Sequence, residues 1–232
     1  AEAHDLAEAH PEVVAELAAL WEAEAERNQV LPLGDGLHER LAALEPPVWP
    51  TPRHVRFRAG YGPVADEAVP SLGAGCLLEA TVDVPAGGGE GVLCAMGDWT
   101  NGWALVVLDG RPTFLVNVVG RGHRIVAAAP LAPGRRTVAF RFAPDGTGGG
   151  TGTILVDGAE VAADRLPEGV GMSGIQIGGG GLRLGHDAGF PVSDDYRPPF
   201  PWTGTLHHVD FDARRPSARQ VEAEAAEALR RE

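Results

Sequence analysis

The chain has 232 residues, 44% of them hydrophobic, and a formal net charge of −13. That charge excludes the usual electrostatic route to nucleic acid or to an anionic membrane, because both would repel the chain. No apolar run approaches the roughly 18 residues of a spanning helix, so no membrane partner is expected.

The first predicted element is a helix over residues 5–28. Pro11 suits a first turn, where its missing N–H costs nothing. Glu12 and Glu16 sit near the positive helix start. Val14, Leu17, Leu20, Trp21 and Ala25 recur at helical spacing and make one apolar face. Gly34-Asp35-Gly36 turns the chain, and a short helix is possible from Leu37 to Leu44. The text EPPVWPTP over 45–52 is stiff, since proline fixes φ and disfavours helix before it. The domain boundary is placed there. The chain has no initiator methionine and opens inside a helical signal, AEAHDLAEAHPE, so it is read as a fragment or a processed product. No signal peptide is read at its start, and the cytoplasm is the expected compartment.

From Arg53 the hydrophobic period becomes two. Val55 and Phe57 face one way and the basic residues the other. Residues 75–84 and 91–96 follow as an expected antiparallel pair. Strands are also read in GWALVVL, PTFLVNVV, HRIVAAA, RRTVAFRF, TGTILVDG, AEVAAD, LRLG and TGTLHHVDF. Asp109-Gly110 and Asp157-Gly158 are hairpin signals. The 32 glycines and 19 prolines fall mostly between these runs, as turn residues do. After Pro216 the pattern returns to helix, with Ser217 and Gln220 at capping-box spacing. The expected fold is mainly β, an antiparallel β-sandwich of jelly-roll type, concanavalin A-like or laminin G-like. The expected organisation is a helical segment at 1–45, a proline-rich linker at 46–52, the sandwich at 53–212 and a C-terminal helix at 213–232.

Several residue groups could carry chemistry. Asp187, Asp194 and Asp195 are oxygen donors in one short stretch and could hold Ca²⁺, or Ser193 and Asp194 could simply cap a turn. Trp99, Asn101 and Trp103 could form a sugar-stacking platform, because alternate strand residues share a face, or the tryptophans could be core. His207 and His208 are adjacent in a strand and are expected on opposite faces, which prevents them from sharing one metal ion. The glycine clusters at 148–152 and 178–181 carry no lysine and open no helix, so they read as turns rather than phosphate loops. Cys76 and Cys94 are expected out of register in a hairpin, hence free thiols. Arg53, Arg56 and Arg58 line one strand face, with Arg135 and Arg141 elsewhere. They could attract a sulfated ligand or be a solvated face. None of the four serines sits in a Gly-x-Ser-x-Gly elbow.

The text PVSDDYRPPFPWTGTLHHVDFD resembles a C-terminal signature of arylsulfatases. HDLAEAHPEVVAELAALWEAEAERNQVLPL is similar to the last helix of those enzymes. GVLCAMGDWTNGWALVVLDGRPTFLVNVVG and PDGTGGGTGTILVDGAEVA are similar to two of their hairpins. The resemblance implies the C-terminal region of such an enzyme, lacking its catalytic domain. Sulfatases use a formylglycine made in a Cys/Ser-x-Pro/Ala-x-Arg motif and a divalent ion such as Ca²⁺. Neither Cys76 nor Cys94 fits that motif. Ser193 has Arg197 at the right spacing but Asp195 at the Pro/Ala position. No catalytic residue and no cofactor are therefore expected in this chain, while the parent would need both formylglycine and metal. The resemblance implies a non-catalytic accessory domain that supports its catalytic domain, forms a homo-oligomer or shapes a substrate entrance. The alternative is a lectin-like module that binds a glycan or a sulfated substrate.

Overall fold

The computed structural model describes residues 5–31, 54–73, 75–171 and 180–213. The possible helix at 37–44, the proline linker, Arg53, residues 178–179 of the second glycine cluster and the C-terminal helix lie outside them. The chain divides into two units, Ala1–Val48 and Trp49–Glu232.

In the first unit, helix α1 spans Pro11–Arg27, with proline in its first turn and Glu12 beside it. It ends at Asn28, whose side-chain amide donates back to the Glu24 carbonyl at 2.8 Å. The helix starts later than the spacing predicts, because residues 7–9 form a turn closed by Ala9 and His10 N–H groups on the Leu6 carbonyl. Val14, Leu17, Leu20 and Trp21 of its apolar stripe are exposed, and Ala25 is buried.

The second unit is two antiparallel sheets. Their strands are β1 (His54–Arg58), β2 (Cys76–Val84), β3 (Gly91–Gly97), β4 (Asn101–Leu108), β5 (Arg111–Val118), β6 (Arg121–Val126), β7 (Gly134–Pro144), β8 (Gly150–Val156), β9 (Ala159–Leu166), β10 (Arg183–Leu184) and β11 (Thr205–Ala213). One sheet has six strands in the order β1-β11-β2-β7-β8-β9, and the other has five in the order β10-β3-β4-β5-β6. This is the expected antiparallel sandwich.

Alternation decides what each strand buries. In β2, Cys76, Leu78, Ala80, Val82 and Val84 point inward while Glu79, Thr81 and Asp83 face out. The five-stranded sheet supplies Leu93, Trp103, Leu105 and Phe114 from its inner face. The layers meet through aromatic rings. Phe114 of β5 stacks on Phe140 of β7 at 3.4 Å between ring centroids, and Trp103 of β4 meets Phe211 of β11 edge-on at 6.1 Å. Burying side chains of this size contributes roughly 1.5–3 kcal/mol each, and the rings share the interface with aliphatic residues such as Leu78, Leu93 and Ile154.

Three hairpin turns use paired positive φ values. Asp109-Gly110 and Asp157-Gly158 do so as their sequences predict. Val119-Gly120 does so against expectation, since a β-branched residue rarely adopts φ of 50°.

The expected hairpin of β2 with β3 does not form. β2 pairs with β11 and β7, whereas β3 pairs with β10 and β4, in the other sheet. The connection is wedged beneath Trp202: a Cβ on Gly89 would lie 2.4 Å from that indole, and Gly91, at φ +126°, is pressed against Pro201. The chain therefore crosses between layers instead of turning back. Cys76 and Cys94 are free and buried, as expected, but they stand on facing sheets rather than out of register in one. Burial pushes both thiols up to about 12.

Candidate functional site

The segment 187–201 is a strap over the outer face of the five-stranded sheet. Val92, Ala95, Ala104, Val106 and Leu115 form an apolar patch on that face, and Val192 and Tyr196 cover it, with Phe200 packed alongside. The Val92 N–H donates to the Phe200 carbonyl at 3.0 Å, and the Asp187 N–H donates to the Pro199 carbonyl at 2.9 Å. These bonds hold both ends of the strap. The proline run turns here, with a cis Pro198–Pro199 bond, rather than running extended.

At the start of the strap, Asp187 is buried. The Tyr196 hydroxyl donates to its Oδ2 at 2.5 Å, and the Ala188 N–H donates to its Oδ1 at 2.8 Å. Burial raises the Asp187 pKa above the usual carboxylate range, although these hydrogen bonds oppose it. Burial and the neighbouring Asp187 also push the Tyr196 phenol up.

The strap leaves one strip of the sheet open. A cleft of about 280 Å³ is lined by Leu115, Val116, Gly122, His123, Arg124, Ser193 and Asp195. Leu115 and Val116 lie on β5, and Gly122, His123 and Arg124 on β6. Ser193 and Asp195 come from the turn of the strap. Arg124 donates to Asp195 Oδ1 at 3.2 Å, and the Ser193 hydroxyl donates to Asp195 Oδ2 at 2.8 Å. Asn117 lies at the margin, buried. Its Nδ2 donates to the Val192 carbonyl at 3.4 Å and sits 3.9 Å from where a Gly122 Cβ would be. Its Oδ1 is buried without a hydrogen-bond partner. A buried amide oxygen with no donor is costly. Sequence reasoning missed His123, Arg124 and Asn117, because they sit in an ordinary strand pair with no motif.

A second and larger cleft, about 560 Å³, borders β1 and is lined by Arg56, Phe57, Arg58, Tyr61, Gly62, Pro63 and Val64. Arg56 makes two bonds of 2.7 Å to Asp210, and these hold the Asp210 carboxylate below its usual range. Arg135 and Arg141 do not join this cleft. Arg135 bonds Asp83 on the same sheet face, and Arg141 pairs with Glu160.

The platform expected from Trp99, Asn101 and Trp103 is not assembled. Trp103 is 1% exposed, stacked on Phe114 inside the core. The Asn101 Oδ1 accepts the Val119 N–H at 2.9 Å, fixing the neighbouring turn. Trp99 is exposed by itself in the β3–β4 turn. The cause is parity: position 103 points inward on β4, and Asn101 lies where the strand begins.

The acids expected to share a metal are also separated. Asp187 is buried against Tyr196, Asp195 is engaged by Arg124 and Ser193, and Asp194 is exposed. Among the described residues no group of three or more His, Cys, Asp or Glu is placed to hold a metal ion.

His207 and His208 stand on the same sheet face, not on opposite ones. A β-bulge between Leu206 and His208 inserts an extra residue against β2. His207 Nε2 then reaches Asp83 Oδ2 at 2.7 Å, and His208 Nε2 reaches the Thr81 hydroxyl at 3.2 Å. Hydrogen bonding from His207 holds Asp83 below the usual carboxylate range.

No family model matches the chain, and no curated protein matches it. Solved structures of similar fold include the CBM40 of Ruminococcus gnavus IT-sialidase bound to α2,3-sialyllactose, at 13% identity and a TM-score of 0.48 over 75% of this chain and 96% of that one. The NanB sialidase of Streptococcus pneumoniae matches at 13% identity and a TM-score of 0.48, over 71% of this chain but only 27% of the sialidase. Domains LG4-5 of the mouse laminin α1 chain match at 13% identity and a TM-score of 0.41, over 70% of this chain and 38% of that one. The arylsulfatase resemblance is corrected: no family model and no curated protein supports it, and the solved structures of similar fold named above are a sialidase CBM40, a sialidase and laminin domains. Among its motifs, the SDDY text is the turn of a strap that covers a sheet face.

Proposed function

We propose that the sandwich is a carbohydrate-binding module that holds a polar glycan in the cleft between β5, β6 and the strap. The observation that carries this reading is the lining of that cleft. A floor at Leu115 and Gly122 is rimmed by Arg124, Ser193 and Asp195, which share the outer sheet face, with Asn117 at its margin. A sugar ring offers the matching surface, since its C–H face is apolar and its hydroxyls both donate and accept. Arg124 and Asp195 already face each other at 3.2 Å, so a vicinal diol can bridge them without either charge losing its partner. The module binds and does not turn its ligand over.

The test is binding of the whole chain to an immobilised panel of neutral oligosaccharides, followed by titration of any hit. Arg124→Ala and Asp195→Ala are each expected to weaken binding at least tenfold, about 1.4 kcal/mol. Their melting temperatures should stay close to that of the native chain, because an exposed ion pair contributes only about 0–1 kcal/mol. No saturable binding, or binding untouched by both changes, would overturn the reading.

A further inference from the structure

We infer that the cleft beside β1 is a second, separate site, which takes an anionic sugar residue: Arg58 receives its carboxylate or sulfate and the Tyr61 ring receives its face. The starting observation is an imbalance of charge. On the outer face of the six-stranded sheet Arg56, Arg135 and Arg141 each meet a carboxylate, from Asp210, Asp83 and Glu160. Arg58 is exposed on that face and has no carboxylate partner among the described residues. Its cross-strand neighbour on β11 is His208, not an acid. Asp210, the acid of this corner, is occupied by the two bonds from Arg56, with His54 and His208 at 3.8 and 3.6 Å. Among the described residues the cleft thus presents one arginine without a carboxylate partner, in a chain whose net charge is −13.

The second observation is shape. Tyr61 is 67% exposed, although large aromatic side chains usually find cover. It stands just beyond the turn at Gly60, where φ is +85°, and so shares the cleft with Arg58. The opposite end of this wall is pinned. Val64 and Leu182 exchange backbone hydrogen bonds of 2.9 and 2.8 Å. Gly181 comes so close that a Cβ there would lie 2.6 Å from the Val64 carbonyl oxygen. Phe57 anchors β1 beneath the cleft, its side chain almost fully buried in the core between the sheets. The cleft is therefore held open on a fixed frame, and about 560 Å³ is room for a sugar residue with its charged substituent. A guanidinium gives two parallel donors to a carboxylate or sulfate, and an exposed ring stacks on the C–H face of a pyranose. The site does not depend on the β5–β6 cleft.

Affinity electrophoresis of the whole chain tests this, in native gels containing heparin, polygalacturonate or neutral dextran. Retardation is expected in at least one anionic gel and not in dextran. Heparin alone assigns a sulfate, polygalacturonate alone a carboxylate, and both assign the shared charge. Arg58→Gln and Tyr61→Ser should each lower the apparent affinity at least tenfold. Arg58→Lys should keep part of it, and Arg141→Gln, which removes an arginine already paired with Glu160, should leave it unchanged. The inference is overturned if neither anionic gel retards the chain, if Arg58→Gln migrates like the native protein, or if dextran retards it equally. Failure here leaves the neutral-glycan result untouched, because that reading turns on Arg124 and Asp195.

Discussion

Trp99 and Trp103 are four positions apart and stand in opposite environments. Trp103 fills the seam between the sheets, against Phe114 and Phe211, and is 1% exposed. Trp103→Ala would leave a cavity in a close-packed core and is expected to cost roughly 3–5 kcal/mol. Trp99, 55% exposed in a turn, should tolerate alanine within about 0.5 kcal/mol. Chemical denaturation of the two variants checks the pair, and equal losses would contradict the placement. This distinction was half legible in the sequence. Alternation puts Trp103 and Asn101 on one parity, but nothing local says whether that parity faces core or solvent when β4 is buried on both faces. Asn117 was illegible for the same reason: an asparagine in PTFLVNVV gives no sign that a distant segment will lie over it. The two thiols, by contrast, are buried and pushed up to about 12, which fits their reading as inert core residues.

At the scale of elements, the strap is the feature that sets the behaviour of the five-stranded sheet. Its lock is the Tyr196 hydroxyl on the buried Asp187. The Asp187 pKa is raised on folding, chiefly by burial. Such a carboxyl stabilises the fold fully below its unfolded value of about 3.9 and loses that contribution as pH rises through the raised value. Asp210 and Asp83 behave oppositely. Their pKa values are lowered, so their contribution is present above the unfolded value and is lost as pH falls through the lowered one. Asp187→Asn keeps an acceptor for Tyr196 and removes the buried charge. It is expected to melt higher than the native chain at pH 7 and to converge with it near the acid end of the range. A native chain that is the more stable of the two at pH 7 would refute this account. The signal that could have revealed the strap is the spacing of Val192, Tyr196 and Phe200, apolar residues among acids and prolines. Their four-residue spacing fits one helix face and one strand parity alike, while the prolines around them disfavour both elements, so periodicity gave them no face. The bulge at His207 was equally hidden, because one extra residue in a strand leaves no mark on composition.

For the whole molecule, most strands and the sandwich class follow from period-two alternation and from the Asp-Gly turns. The division of strands between layers does not. β2 and β3 read as neighbours and belong to different sheets because Gly89 and Gly91 let the chain pass under Trp202. That close approach involves residues more than a hundred positions apart, beyond the reach of any local pattern. The same topology brings the first and last strands of the sandwich together. β1 pairs antiparallel with β11, with His54 opposite Asp212. A pull on these two positions loads the pair from one end, so its hydrogen bonds break singly, as a zipper opens. A pull on positions 54 and 205 draws the two strands past each other and loads their bonds together. Handles placed at 54 and 212 should therefore open the sandwich at lower force than handles at 54 and 205, and equal forces in an optical trap would contradict this. A module tethered through this corner yields to tension by releasing β1 first, and with it the wall that carries Arg58. Ligand capture there becomes sensitive to mechanical load, while the β5–β6 cleft on the other layer does not share that strand.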